Sequence, residues 1–177
     1  MKKFLKEALQ TSLIILAALL ISLFIVTFIG QRTVVDGESM ENTLYHNDNL
    51  IVDKVSYRFS EPERFDVIVF PAHYDANTYL VKRVIGLPGE TIYIDGEGNI
   101  YVDEELLEED YGKEVILSGG IAQAPITLGE DEYFVLGDNR NHSLDSRDHM
   151  VGNISKEDII GKAWLRIYPF DEMCVVK

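Results

Sequence analysis

Cysteine is almost missing from this chain of 177 residues: only Cys174 is present, near the C-terminus in MCVVK. One thiol can form neither an intrachain disulfide nor a thiolate zinc site, and its neighbours read as a terminal apolar strand in which it packs. Positive charge is scarce as well. Lys and Arg total 16 against 30 Asp and Glu, for a net charge of −14. The first 30 residues carry +2, from Lys2, Lys3, Lys6 and Glu7, so residues 31–177 hold 13 basic and 29 acidic side chains. A domain this acidic repels phosphate backbones, which argues against DNA or RNA as a partner. There is no His-Glu-x-x-His to hold zinc and no Gly-x-Ser-x-Gly elbow. His46, His73, His142 and His149 are scattered, none of them in a triad setting. Helical repeats and low-complexity tracts are lacking too, leaving one medium domain plus an anchor.

The anchor is the one long apolar run. Between Glu7 and Arg32 no side chain is charged, and Ser12–Gly30 is interrupted only by Ser22 and Thr27. About 20 such residues in a helix cross the roughly 30 Å hydrocarbon core of a bilayer. A cleavable secretory signal has an apolar region of only about 7–15 residues and an Ala-x-Ala-like site after it; this run is longer and no such site follows. Lys2, Lys3 and Lys6 on its N-terminal flank favour a cytoplasmic start. The expected organisation is a cytoplasmic tail over 1–11, a transmembrane anchor over 12–30 and an extracytoplasmic domain over 31–177.

Beyond Gln31 the pattern changes to short apolar runs broken by glycine, proline and acidic residues. NLIVDKVSY, DVIVF, TYLVKRVIG, TIYIDG, NIYVD, EYFVLG and AWLRIYPF read as strands, rich in Val, Ile, Tyr and Phe. DGEGN, Asp95 to Asn99, reads as the hairpin turn between two of them. KEDIIG, Lys156 to Gly161, reads as a short helix or turn with Ser155 as its N-cap. The acidic VDEELLEEDYGKE, Val102 to Glu114, reads as a solvated loop on the rim. The fold class is mostly β: a domain of coiled antiparallel β-sheet on a single N-terminal transmembrane helix.

VVDGESMENTL, Val34 to Leu44, puts Ser39 a few residues past the apolar run. A serine hydroxyl is a weak nucleophile without a base, and lysine is the alternative to histidine. TYLVKRVIGLPGE places Lys82 among Leu80, Val81, Val84 and Ile85. On a strand, Arg83 points to the opposite face. A lysine turned into an apolar interior loses hydration, so its pKa falls toward the ~7–8 that suits a general base. GDNRNHSLDSR, Gly137 to Arg147, follows another apolar strand. Its Asp145 and Arg147 suit a local ion pair, and Ser143 suits holding a neighbouring amine.

An N-terminal anchor, then Gly-x-Ser-Met, then Lys-Arg-Val-Ile-Gly-Leu-Pro-Gly-Glu, then Gly-Asp-Asn-Arg-x-x-Ser-x-Asp-Ser-Arg resembles the type I signal peptidases. It is most similar to their small Gram-positive form. The resemblance implies Ser39 as nucleophile, Lys82 as general base, Ser143 orienting the amine, and Asp145 and Arg147 bracing the loop. It implies secreted preproteins as substrates, cut after small residues and bound extended along a strand edge, the lipid bilayer as a partner, and no metal or other cofactor. Two positions depart from the family. Asn42 stands where a proline is common, and Asn42→Pro is expected to be tolerated. Gly37 stands where some members carry a serine that helps bind the oxyanion, so the Ser39 N–H has more to supply; Met40 packs beside the site. A self-cleaving repressor also pairs serine with lysine, but it calls for a DNA-binding N-terminal domain, which the apolar run and the acidity oppose.

Overall fold

The computed structural model describes residues 2–177, with side chains throughout except at Lys2, Lys3, Leu5, Ala8, Leu9, Ile25, Val26, Phe28 and Ala76. The Lys2 and Lys3 side chains of the expected basic flank therefore lie outside the described residues. One helix, α1, runs Lys2–Phe28, so the expected tail and the apolar run are continuous. Its side chains are described without a break only over residues 10–24, about 22 Å of helix at 1.5 Å per residue. Among the described residues no helix is long and apolar enough to cross a membrane.

Twelve described strands follow: β1 Gly30–Val34, β2 Asn49–Asp53, β3 Val67–Ala72, β4 Asp75–Gly86, β5 Thr91–Ile94, β6 Ile100–Val102, β7 Glu105–Leu106, β8 Ile126–Thr127, β9 Glu132–Leu136, β10 Ile154–Ser155, β11 Gly161–Tyr168 and β12 Cys174–Val175. Seven of them fall on the seven apolar runs read as strands, with β3, β4 and β11 extending past theirs. The larger sheet has the order β1-β2-β11-β3-β4-β9-β10, with β12 also on β11; the smaller has the order β7-β6-β5-β8. Every pairing is antiparallel. The turn over 95–99 joins β5 to β6 as expected, with Asp95 Oδ1 accepting the N–H groups of Glu97 and Asn99.

Burial explains why the strands carry so much apolar sequence. On β3, Val67 and Val69 enter one core with Met40, Leu44, Leu50, Val52 and Ala163. The alternate residues Ile68 and Phe70 enter another with Val84, Tyr133, Val135 and Ile154. A strand covered on both faces loses the polar half of its alternation. A third core, around Ile85, Ile92, Ile94, Phe134 and Leu136, holds the smaller sheet against the larger.

Three local expectations change. Cys174 is on a strand but exposed, because β12 is two residues at a sheet margin and Val176 takes the core position. Ser155 stands before a 3₁₀ turn, Lys156–Asp158, yet its hydroxyl caps nothing. The acidic segment is more than a solvated rim: Glu105–Leu106 is β7, and Glu109, with only 9% of its side chain exposed, pairs with Arg140 at 2.6 Å. The buried Arg140 behind it needs counter-charge, and this segment supplies it.

Candidate active site

Strand β4 delivers the amine. Lys82 stands opposite Ile68 on β3 and is 2% exposed. Its Nζ lies 2.6 Å from Ser39 Oγ and donates to Val81 O at 2.9 Å. Burial brings the amine down from the usual lysine range to about 8, while Asp145 and Asp138 pull the other way. Desolvation wins because neither carboxylate touches the amine, and both are bound to arginines. A neutral amine at this distance can accept the Ser39 proton.

Ser39 sits in a turn that is fastened from several sides. Thr43 N–H and Leu44 N–H both donate to Met40 O, and Met40 is buried beside the site at 1% exposure. Gly37 has φ +109°, a conformation that a side chain rarely adopts; its N–H donates to His46 Nδ1 at 3.2 Å. None of the four histidines hydrogen-bonds Ser39. Among the described residues, no group of three or more His, Cys, Asp or Glu is arranged to hold a metal ion.

Asn42 behaves differently from the expectation. Its φ is +97°, and its Nδ2 donates to Tyr111 O at 3.3 Å. Proline locks φ near −65°, so the expected tolerance of Asn42→Pro is overturned.

The Gly137–Arg147 loop lies behind the pair. Asp145 and Arg147 form the expected ion pair, with Arg147 Nε and Nη2 both 2.8 Å from the carboxylate. The Asp145 carboxylate also accepts Gly137 N–H at 3.0 Å. Ser143 Oγ is buried and has no hydrogen-bond partner, so the expected bond to the Lys82 amine is not formed here.

Several residues in and around this loop carry more than the sequence reading gave them. Arg83 is fully buried and grips Asp138 through Nε at 2.8 Å and Nη2 at 2.6 Å. Thr43 Oγ1 donates to Asp138 at 2.5 Å and accepts from Arg83 at 3.1 Å. The Tyr111 ring lies 3.7 Å from the guanidinium carbon of Arg83, within range of a cation–π contact. Ser146 Oγ accepts Val135 N–H at 2.9 Å, returning the loop to β9. The only advance signal was an arginine placed where a strand needs an inward residue.

A cleft of about 460 Å³ opens on the pair, lined by Thr33 to Asp36, Ser39, Met40, Val69, Tyr74 and Asn77 to Lys82. Its long walls are two strand edges. β1 ends the larger sheet, and β4 pairs with β9 only from Arg83 onward. A larger, mostly apolar cavity of about 570 Å³ lies between the end of α1 and Trp164. It contains neither Ser39 nor Lys82, so the cleft is where chemistry can occur.

The family match places the chain in a class, the serine peptidases, which hydrolyse peptide bonds. Within that class it belongs to the signal peptidase family, peptidase S26, which matches residues 8–168. It is 36% identical over 160 residues to the probable signal peptidase I-2 of Synechocystis sp., covering 86% of this chain and 69% of that one. It is also 36% identical over 168 residues to signal peptidase I P of Bacillus subtilis subsp. natto, covering 90% and 88%. A crystal structure of a signal peptidase I from Enterococcus faecalis aligns with 33% identity and a TM-score of 0.48, over 58% of this chain and 97% of that one.

Proposed function

We propose that the chain is a membrane-anchored endopeptidase that removes N-terminal signal peptides from secreted preproteins, with Ser39 as nucleophile and Lys82 as general base. The observation that carries this is the 2.6 Å contact between a serine hydroxyl and a lysine amine whose pKa burial brings down to about 8. The names of the relatives, signal peptidase I, support the substrate class. The two unpaired edges along the cleft suit an extended peptide, which would hydrogen-bond to β1 and β4 as an added strand. Small residues next to the scissile bond would let its carbonyl carbon reach Ser39.

In this reading Ser39 Oγ bonds to the carbonyl carbon while its proton passes to Lys82 Nζ. The tetrahedral intermediate collapses by breaking the C–N bond, and the Lys82 proton leaves with the new amine. A water then gives a proton to Lys82 and adds to the acyl carbon, and collapse returns that proton to Ser39 Oγ. Ser143 takes up the amine while Ser39 is acylated and can no longer hold it; Asp145 and Arg147 keep the loop in place. The anchor is α1, uncharged from residue 8 onward. Residues 1–11 lie on the cytoplasmic side, 12–30 cross the bilayer, and 31–177 stand outside.

The test is cleavage of a model preprotein by the purified full-length chain, Ser39→Ala and Lys82→Met. Loss of cleavage in both variants, with unchanged circular dichroism, is expected. Retained turnover in either one overturns the pairing.

A further inference from the structure

We infer that Asn139 is a positioning residue that aims the Ser39 N–H at the oxyanion; this rests on the Ser/Lys reading above. Asn139 is 2% exposed and holds the nucleophile's backbone at two successive carbonyls. Its own N–H donates to Ser39 O at 3.0 Å, and its side-chain Nδ2 donates to Glu38 O at 3.1 Å. The second contact matters most. A trans peptide is planar, so the carbonyl of residue 38 and the N–H of residue 39 point in opposite directions. Holding Glu38 O toward Asn139 turns the Ser39 N–H away from the 137–139 loop. That N–H makes no hydrogen bond among the described residues. The cleft is lined by Ser39 and by no residue of 137–139, so the side away from the loop is the substrate side.

The clamp is built to be stiff. Residue 138 is bound to Arg83 and to Thr43, so the loop grips the serine turn at Ser39 and again four residues later. Gly137 allows the approach: a Cβ there would lie 2.4 Å from Ser39 O and 2.2 Å from Ser143 Oγ. The amide orientation is fixed by chemistry, since the reverse flip would set Oδ1 against Glu38 O. Asn139 Oδ1 is left buried without a partner, an uncompensated loss for a residue that only filled space. With Gly37 lacking a side-chain donor, the direction of one backbone N–H carries more of the stabilisation.

The experiment uses the full chain in detergent micelles with a peptide substrate, comparing the parent with Asn139→Ala and the near-isosteric Asn139→Asp, which lacks the N–H donor. Removing an oxyanion donor lowers kcat by about 10²–10³-fold, and misaiming one should lower it by on the order of 10–100-fold. Inhibition by a peptide aldehyde, whose adduct with Ser39 carries the oxyanion, should weaken by about the same factor as kcat falls. KM and inhibition by the matching peptide alcohol should stay within about 2-fold, and the pH midpoint of kcat should not move. Aldehyde affinity unchanged while kcat falls, or a shifted midpoint, overturns the proposal, because the effect would then lie on Lys82. Failure of both variants to fold overturns it too, leaving Asn139 a folding residue. Ser39→Ala run in parallel separates the cases: cleavage surviving there sinks the Ser/Lys reading itself.

Discussion

At the scale of single residues, the Lys82 amine ties activity and stability to the same proton. Catalysis in the proposed mechanism needs it neutral, so kcat/KM should rise with pH through a midpoint near 8 and level off above it. Stability moves with it. The folded value lies below the unfolded one of about 10.4, so between these the unfolded chain binds more protons and the Lys82 contribution rises with pH. Below pH 8 the fold bears the full penalty of holding a charged amine at 2% exposure. Lys82→Met should therefore abolish cleavage while raising stability at pH 6–7, by up to about 3 kcal/mol; a melting temperature below the parent's would contradict this. Asn42 gives the opposite case. With φ at +97°, Asn42→Pro should destabilise the chain by about 1–3 kcal/mol, and Asn42→Gly should stay within about 1 kcal/mol of the parent. Urea midpoints of the two variants decide it. Sequence could not reveal this, because asparagine is one of the few side chains at home in either half of φ space.

Among the elements, the longer strands were legible, and of the two-residue ones only β12 was. β3, β4, β9 and β11 carry dense β-branched and aromatic runs, whereas β7, β8, β10 and β12 are two residues each and exist only because a neighbour offers an edge. The candidate site divides the same way. Ser39, Lys82 and the Asp145–Arg147 pair could be read from motif and alternation. The grip of Arg83 on Asp138 could not, since its partners lie 40 and 55 positions away in the chain. Nor could Glu109, which looked like one more solvated acid until a buried arginine claimed it. The loop from 137 to 147 is where a small change should tell most. Gly137→Ala would force its methyl into Ser143 Oγ and Ser39 O, at about 1–3 kcal/mol of overpacking. Turnover should drop further than that loss of stability alone explains, because Ser39 O belongs to the proposed nucleophile; kcat measured well below the melting temperature, alongside a urea titration, separates the two.

For the molecule as a whole, the boundary between the proposed anchor and the β-rich part lies slightly earlier than composition suggests. Gly30 pairs with Asp53, and Ile29 O accepts Lys54 N–H at 3.0 Å. A fragment starting at Gln31 would cut into β1, which forms one wall of the cleft; a fragment starting at Phe28 keeps it. The Phe28 fragment should cleave a soluble peptide about as well as the full chain and a micelle-held preprotein less well, because the proposed anchor would raise local concentration. Equal rates on the micelle-held substrate would mean that α1 does not bring enzyme and substrate together. The junction has a further consequence. Only Ile29 separates α1 from β1, so in an anchored enzyme nothing slack lies between the bilayer and the cutting serine. The chain then works as a depth gauge: it cuts at one height, and a preprotein is accepted only if its cleavage point clears its own apolar segment by a matching length. Splicing a flexible glycine–serine segment between residues 29 and 30 should blur that gauge and widen the range of accepted spacings.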